Sequence, residues 1–203
     1  MWDVVLSVLL AASMWFVIFV VEPLDFWISM SIATAILMGI SLFSGGRGFS
    51  SLKWSFRSVI YGVLLAFVLY GIFWVGNILL RVVEIIPDAG EYVASVYGRP
   101  TFLSSWSIAL LLLFPIGSGE ELFWRGFVQR RLMERLGLWP GFFLTLLLYA
   151  GIHIPTGNPV LVLAALVAGG VWGLVYALVG DLPMVVVSHA LWDVLSFVIF
   201  PFS

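Results

Sequence analysis

The sequence predicts an all-α, polytopic transmembrane helical bundle, and three observations predict it. Of 203 residues, 63% are hydrophobic and only 10% are charged, whereas a water-facing fold carries roughly a quarter charged residues. Mean hydropathy is +1.16. Apolar runs of about 18 to 22 residues, long enough to cross hydrocarbon as helices, recur along the chain, and none alternates with period two as a membrane strand would. Seven runs stand out, with room for an eighth, and no hydrophilic stretch is long enough for a second domain, so residues 1–203 read as one membrane domain.

The first run, Val4 to Val21, lacks a basic leader and a small-residue cleavage site, so it reads as a retained helix rather than a signal peptide. Phe26 to Phe43 and Val59 to Leu80 follow, separated by the turn signal Ser44-Gly45-Gly46-Arg47-Gly48. A second turn signal, Pro87-Asp88-Ala89-Gly90, sits in the more polar segment from Arg81 to Ser105. The fourth run starts at Trp106 and ends in the acidic cluster Glu120-Glu121. The last three runs are Gly141 to His153, which is short for a span, Val160 to Val179, and Pro183 to Phe200.

A continuous helix from Trp106 to Arg135 would be on the order of 45 Å long, more than the hydrocarbon is thick. Pro115, Gly117 and Gly119 therefore predict a break, with Ser118 as N-cap of a new helix. Glu120 and Glu121 would then lie in a first turn, where the helix dipole favours carboxylates.

Composition also excludes functions. A net charge of -2 with no basic stripe argues against nucleic acid, and the absence of Cys removes disulfides, thiolate nucleophiles and Cys-based metal sites. No internal repeat points to an inverted-repeat transporter. Arg47, Lys53 and Arg57 flank one loop and Arg130, Arg131 and Arg135 another, while Glu22 and Asp25 have no basic neighbour. By the positive-inside rule the N-terminus is expected in the cytoplasm of a multi-pass cell-membrane protein, with lipid as its surroundings.

Apart from Asp193, charge is kept out of the other apolar runs, so Gly119-Glu120-Glu121-Leu122-Phe123-Trp124-Arg125-Gly126 is the functional hypothesis. Glu121 and Arg125 are four apart and can pair within one helix, whereas Glu120 points about 100° away and is left for another partner. The chain has two His. His153 ends Tyr149-Ala150-Gly151-Ile152-His153, and His189 opens His189-Ala190-Leu191-Trp192-Asp193, with Asp193 one turn on. At 1.5 Å per residue, His153 lies roughly 18 Å, Glu120 roughly 15 Å, His189 roughly 10 Å and Asp193 roughly 16 Å from the same face. One layer of the bundle can therefore hold all four.

Such a layer suits activation of water. A carboxylate accepts a proton from water, an imidazole orients that water, and a second imidazole with an acid or amide partner donates to the oxyanion formed at a carbonyl. Glu120, His153, His189 and Asp193 are equally a two-His, two-carboxylate set that could take Zn²⁺, although H-E-x-x-H is absent; the metal-free reading is preferred and zinc kept as the alternative. Trp124, Trp172 and Trp192 read as packing or interface anchors.

Glu120 to Arg125 resembles the E-E-x-x-x-R motif of the type II CAAX prenyl protease and bacteriocin-processing family of intramembrane proteases. Tyr149 to His153 is similar to its F-x-x-x-H motif and His189 to Asp193 to its H-x-x-x-N/D motif. The resemblance covers about half the chain and divides it into N-terminal helices over 1–103 and a catalytic core over 104–200. It implies an endopeptidase acting on a membrane-associated peptide, prenylated or not. In it Glu120 is the general base and His153 its partner on the water, while Glu121 and Arg125 position the motif helix. His189 with residue 193 stabilises the oxyanion. Tyr149 departs from the usual Phe. Asp193 stands where Asn is common; an ionised Asp repels an oxyanion, so it must be protonated, paired with His189, or outside that role. A non-catalytic immunity or scaffold protein of the same fold, and a proton-coupled transporter using the buried acids as a relay, are the competing readings.

Overall fold

The computed structural model describes residues 2–44 and 52–202. The glycine-rich turn after Ser44, with Arg47, lies outside the described residues. Among the described residues the regular elements are all helical. Seven helices among the described residues are long and apolar enough to cross a membrane: α1 (Trp2–Val21), α2 (Phe26–Phe43), α3 (Phe56–Val83), α5 (Ser105–Leu136), α6 (Leu138–Thr156), α7 (Pro159–Val179) and α8 (Leu182–Ile199). The eighth, α4 (Ala89–Tyr97), is too short to span and follows the turn at Pro87-Asp88. All seven sequence-predicted runs fall on these helices, and the short one gains a turn at each end.

Helix starts are set by side-chain caps. Ser55, Ser104, Asn158 and Asp181 accept from the backbone N–H three residues on at α3, α5, α7 and α8, and Pro159 and Pro183 occupy first-turn positions where no N–H is needed.

The predicted break in the fourth run does not occur. Ser118 caps nothing: α5 runs through it with right-handed helical dihedrals, and Glu120 and Glu121 sit in mid-helix. Pro115 is accommodated by a π-helical turn over Leu112–Ile116, which widens the backbone around the missing N–H. A second π turn, Trp124–Gln129, follows the acidic cluster. The glycines serve packing instead. A Cβ on Gly117 would lie 2.8 Å from Ala190 Cα on α8, and one on Gly119 would lie 2.8 Å from Thr34 O on α2. Close approach of three backbones, which small residues permit in membranes, packs α5 tightly between α2 and α8. Helix α3, by contrast, exposes Phe67, Val68, Trp74 and Val75, an apolar face suited to lipid.

Polar bonds at the rims fix which ends lie together. Asp3 pairs with Arg131, and the Ser58 hydroxyl donates to Asp181 Oδ2 at 2.7 Å, so the start of α1, the end of α5, the start of α3 and the α7–α8 turn share one face. At the other face Arg99 pairs with Glu22 at 2.6 Å and lies over the Phe26 ring at 4.4 Å, while Asn77 and Arg81 donate to Phe202 O.

Candidate active site

Within α5 the spacing of Glu121 and Arg125 produces the expected pair. Arg125 Nη1 donates to Glu121 Oε1 at 2.8 Å, and both groups are almost wholly buried. Arg125 Nη2 also donates to the backbone carbonyl of Gly169 on α7 at 3.1 Å, and its guanidinium lies 4.9 Å from the Tyr149 ring centre. One turn later Gln129 Nε2 donates to Gly173 O at 2.7 Å. These two donors reach successive buried turns of one neighbouring helix and so fix the rotation of α5 about its axis. Removing such a donor would leave buried acceptors without a partner. Gln129 was missed in the sequence reading, although a lone amide one turn past a buried arginine in an apolar run is a visible signal.

Glu121 has a further partner that helical spacing could not supply. His189 Nδ1 donates to the same Oε1 at 2.7 Å, tying α8 to α5. The His189 ring stacks on Trp172 of α7, with centroids 3.8 Å apart and planes at 16°, and the Trp172 indole donates to Ser188 Oγ at 3.0 Å. Trp172 is thus an anchor, as its type suggested, and its flat face sets the plane of His189. Asp193 Oδ1 stands 3.6 Å from His189 Nε2, an ion-pair separation longer than a hydrogen bond. Of the three conditions the sequence left for Asp193, pairing with His189 is the one this geometry favours.

Glu120, rotated away from Glu121, faces a cavity. Its Oε2 accepts the Tyr149 hydroxyl at 3.0 Å, so the departure from Phe at this position supplies a direct partner to the carboxylate. His153, one turn beyond Tyr149, holds Nδ1 against Tyr149 O at 2.9 Å, while its Nε2 lies 3.2 Å from Trp15 Nε1 on α1. Trp15 gave no signal in the sequence; it is one apolar residue among many in the first run.

Glu120, Tyr149, His153, His189 and Asp193 line one cavity of about 120 Å³, bounded by apolar side chains such as Phe26 and Trp27 from the N-terminal helices. Three helices separated in sequence therefore bring their ionisable groups to one chamber, as the depth estimate required. A larger groove of about 200 Å³, lined almost entirely by apolar side chains of α3, α4, α7 and α8, adjoins it. Leu161, Ala164, Trp192 and Phe197 line both spaces.

The alternative zinc set is not assembled. Among the described residues no group of three or more His, Asp and Glu side chains is placed to hold a metal ion. In the resting site both His153 nitrogens are engaged, by Trp15 and Tyr149, and His189 Nδ1 is engaged by Glu121.

Residues 102–195 match the family model described as Type II CAAX prenyl endopeptidase Rce1-like. No curated protein matches the chain, and no solved structure matches it.

Proposed function

We propose, from the match of residues 102–195 to the type II CAAX prenyl endopeptidase family model, that the chain is an intramembrane endopeptidase that hydrolyses a peptide bond of a membrane-associated substrate with a metal-free, glutamate-activated water. The observation that carries this reading is the single cavity lined by Glu120, His153, His189 and Asp193, inside a bundle of apolar spans. A reactive water and a carbonyl can meet there, away from bulk solvent.

In the proposed reaction a water O–H gives its proton to Glu120 while the oxygen adds to the scissile carbonyl carbon. His153 holds the water's other hydrogen. His189, oriented by Glu121 and Trp172, donates toward the oxygen that becomes negative. The C–N bond then breaks, Glu120 returns its proton to the departing nitrogen, and a carboxylic acid and an amine leave. Glu121 and Arg125 act through His189 and through the rotation of α5, as positioning residues. The apolar groove beside the cavity supports a substrate that carries a hydrocarbon chain, since a lipid-modified peptide could lay that chain along α3 and α7 with its backbone at Glu120.

The clustering of Lys53, Arg57, Arg130, Arg131 and Arg135 toward the face where Asp3 meets Arg131 supports a cytoplasmic N-terminus. Cleavage of a membrane-tethered reporter by the wild type and by Glu120→Gln tests the reaction. Loss of cleavage in a variant that still folds is the expected result; cleavage at a similar rate removes the enzyme reading.

A further inference from the structure

His153 is the one ionisable cavity residue whose ring nitrogens both face groups of fixed hydrogen-bonding type. The partner of Nδ1 is a backbone carbonyl, which can only accept, so Nδ1 carries a proton. The partner of Nε2 is the Trp15 indole N–H, which can only donate, so Nε2 presents its lone pair. The imidazole is therefore a neutral tautomer with its single basic site turned toward α1. Trp15 is 1% exposed, and its ring meets His153 edge-on with centroids 6.3 Å apart and planes at 82°. Phe19, one turn further along α1, also meets the ring edge-on at 6.0 Å and 68°. Tyr149 packs edge-on against it at 5.4 Å.

A neutral imidazole has one lone pair, and a lone pair accepts one good hydrogen bond. While Trp15 donates to it, a water in the cavity cannot. The hydrolytic reading needs that lone pair on the water, so the two requirements compete for one atom. The Tyr149 carbonyl already fixes the tautomer, which leaves Trp15 to control only where the lone pair is spent.

We propose that Trp15, on a helix outside the family-matched region, is a positioning residue for His153: its indole N–H holds Nε2 in the resting site and must yield it to the reacting water. This rests on the hydrolytic role given to His153 above. It makes α1 part of the active site rather than a generic membrane helix, and it assigns opening of the site to a small displacement of α1 against α6.

The test uses the full-length protein in detergent micelles with ¹⁵N-labelled Trp and His. A scalar coupling across the hydrogen bond between Trp15 Nε1 and His153 Nε2 is expected in the wild type and absent in Trp15→Phe, which keeps an aromatic ring and removes the donor. Diethylpyrocarbonate, which acylates the lone-pair nitrogen of neutral imidazole, should modify His153 roughly three- to tenfold faster in Trp15→Phe, the factor one neutral hydrogen bond is worth. Absence of the coupling in the wild type, or equal acylation rates in the two proteins, overturns the proposal. The wild-type coupling decides the matter even where Trp15→Phe folds poorly. Neither readout depends on cleavage, so a coupled, slowly acylated His153 in a protein whose reporter cleavage ignores Glu120→Gln would sink the protease reading and leave the Trp15 contact standing.

Discussion

The Tyr149 hydroxyl donates to Glu120 Oε2 at 3.0 Å, joining the carboxylate of α5 to the helix that carries His153. Tyr149→Phe leaves a buried carboxylate oxygen without this donor and should lower stability in mild detergent by about 1–3 kcal/mol. Glu120→Gln keeps an oxygen acceptor and should cost less. A thermal-unfolding double-mutant cycle of Tyr149→Phe with Glu120→Ala, which removes the acceptor, is the check: additive effects would show that the hydroxyl and the carboxylate are not coupled.

Arg125 satisfies two acceptors at once, Glu121 Oε1 and Gly169 O, in the fork geometry of a guanidinium. Lysine keeps the charge and cannot span both. Arg125→Lys should therefore lose roughly 1.5–3 kcal/mol, and Arg125→Ala, which strands a buried carboxylate, about 3–5 kcal/mol. Unfolding measured in the same detergent orders the three proteins; Arg125→Lys matching the wild type would show that the bond to α7 contributes nothing.

Gly119 lets α5 rest on the backbone of α2, and an added methyl group would meet Thr34 O at 2.8 Å. Because the obstacle is a main-chain carbonyl, no side-chain rotation relieves it. Gly119→Ala should destabilise by about 1–3 kcal/mol through overpacking, and shortening the Thr34 side chain should not rescue it. Rescue by Thr34→Ala would place the clash in the side chain instead.

Tyr97, on the short helix α4 outside the spans, is pushed up to about 12 by burial against the apolar groove. The unfolded chain releases this proton near the ordinary value of 10, two units before the folded one. Between those values the folded state binds more protons, so stability should fall as pH rises from 10 to 12 and be unaffected by this group below 10. Tyr97→Phe should flatten that stretch of the stability–pH curve, and an unchanged slope would show that another group causes it.

Spans were legible because membrane insertion reads length and hydropathy, both local properties of the chain. Phe26 to Phe43 is recovered residue for residue, and the other runs differ by a few residues at their ends, except the fourth, whose helix continues past the acidic cluster to Leu136. The fourth run was misread for a local reason: Pro115, Gly117 and Gly119 break isolated helices. Here a π turn accommodates the proline, and the glycines are spent on contact with Thr34 and Ala190.

The candidate site divides in the same way. Helical periodicity alone determined that Glu121 meets Arg125 and that Glu120 turns elsewhere, since neighbours four residues apart are set by the 3.6-residue turn. Sequence also singled out which ionisable side chains lie within the apolar runs, because such groups are too costly in lipid-length runs to be incidental. Only the tertiary structure decided their partners. His189 on Glu121, Tyr149 on Glu120 and Trp15 on His153 join residues 68, 29 and 138 positions apart. Such pairings depend on how whole helices rotate and slide against one another, which packing of the assembled bundle sets and no local pattern in the chain encodes.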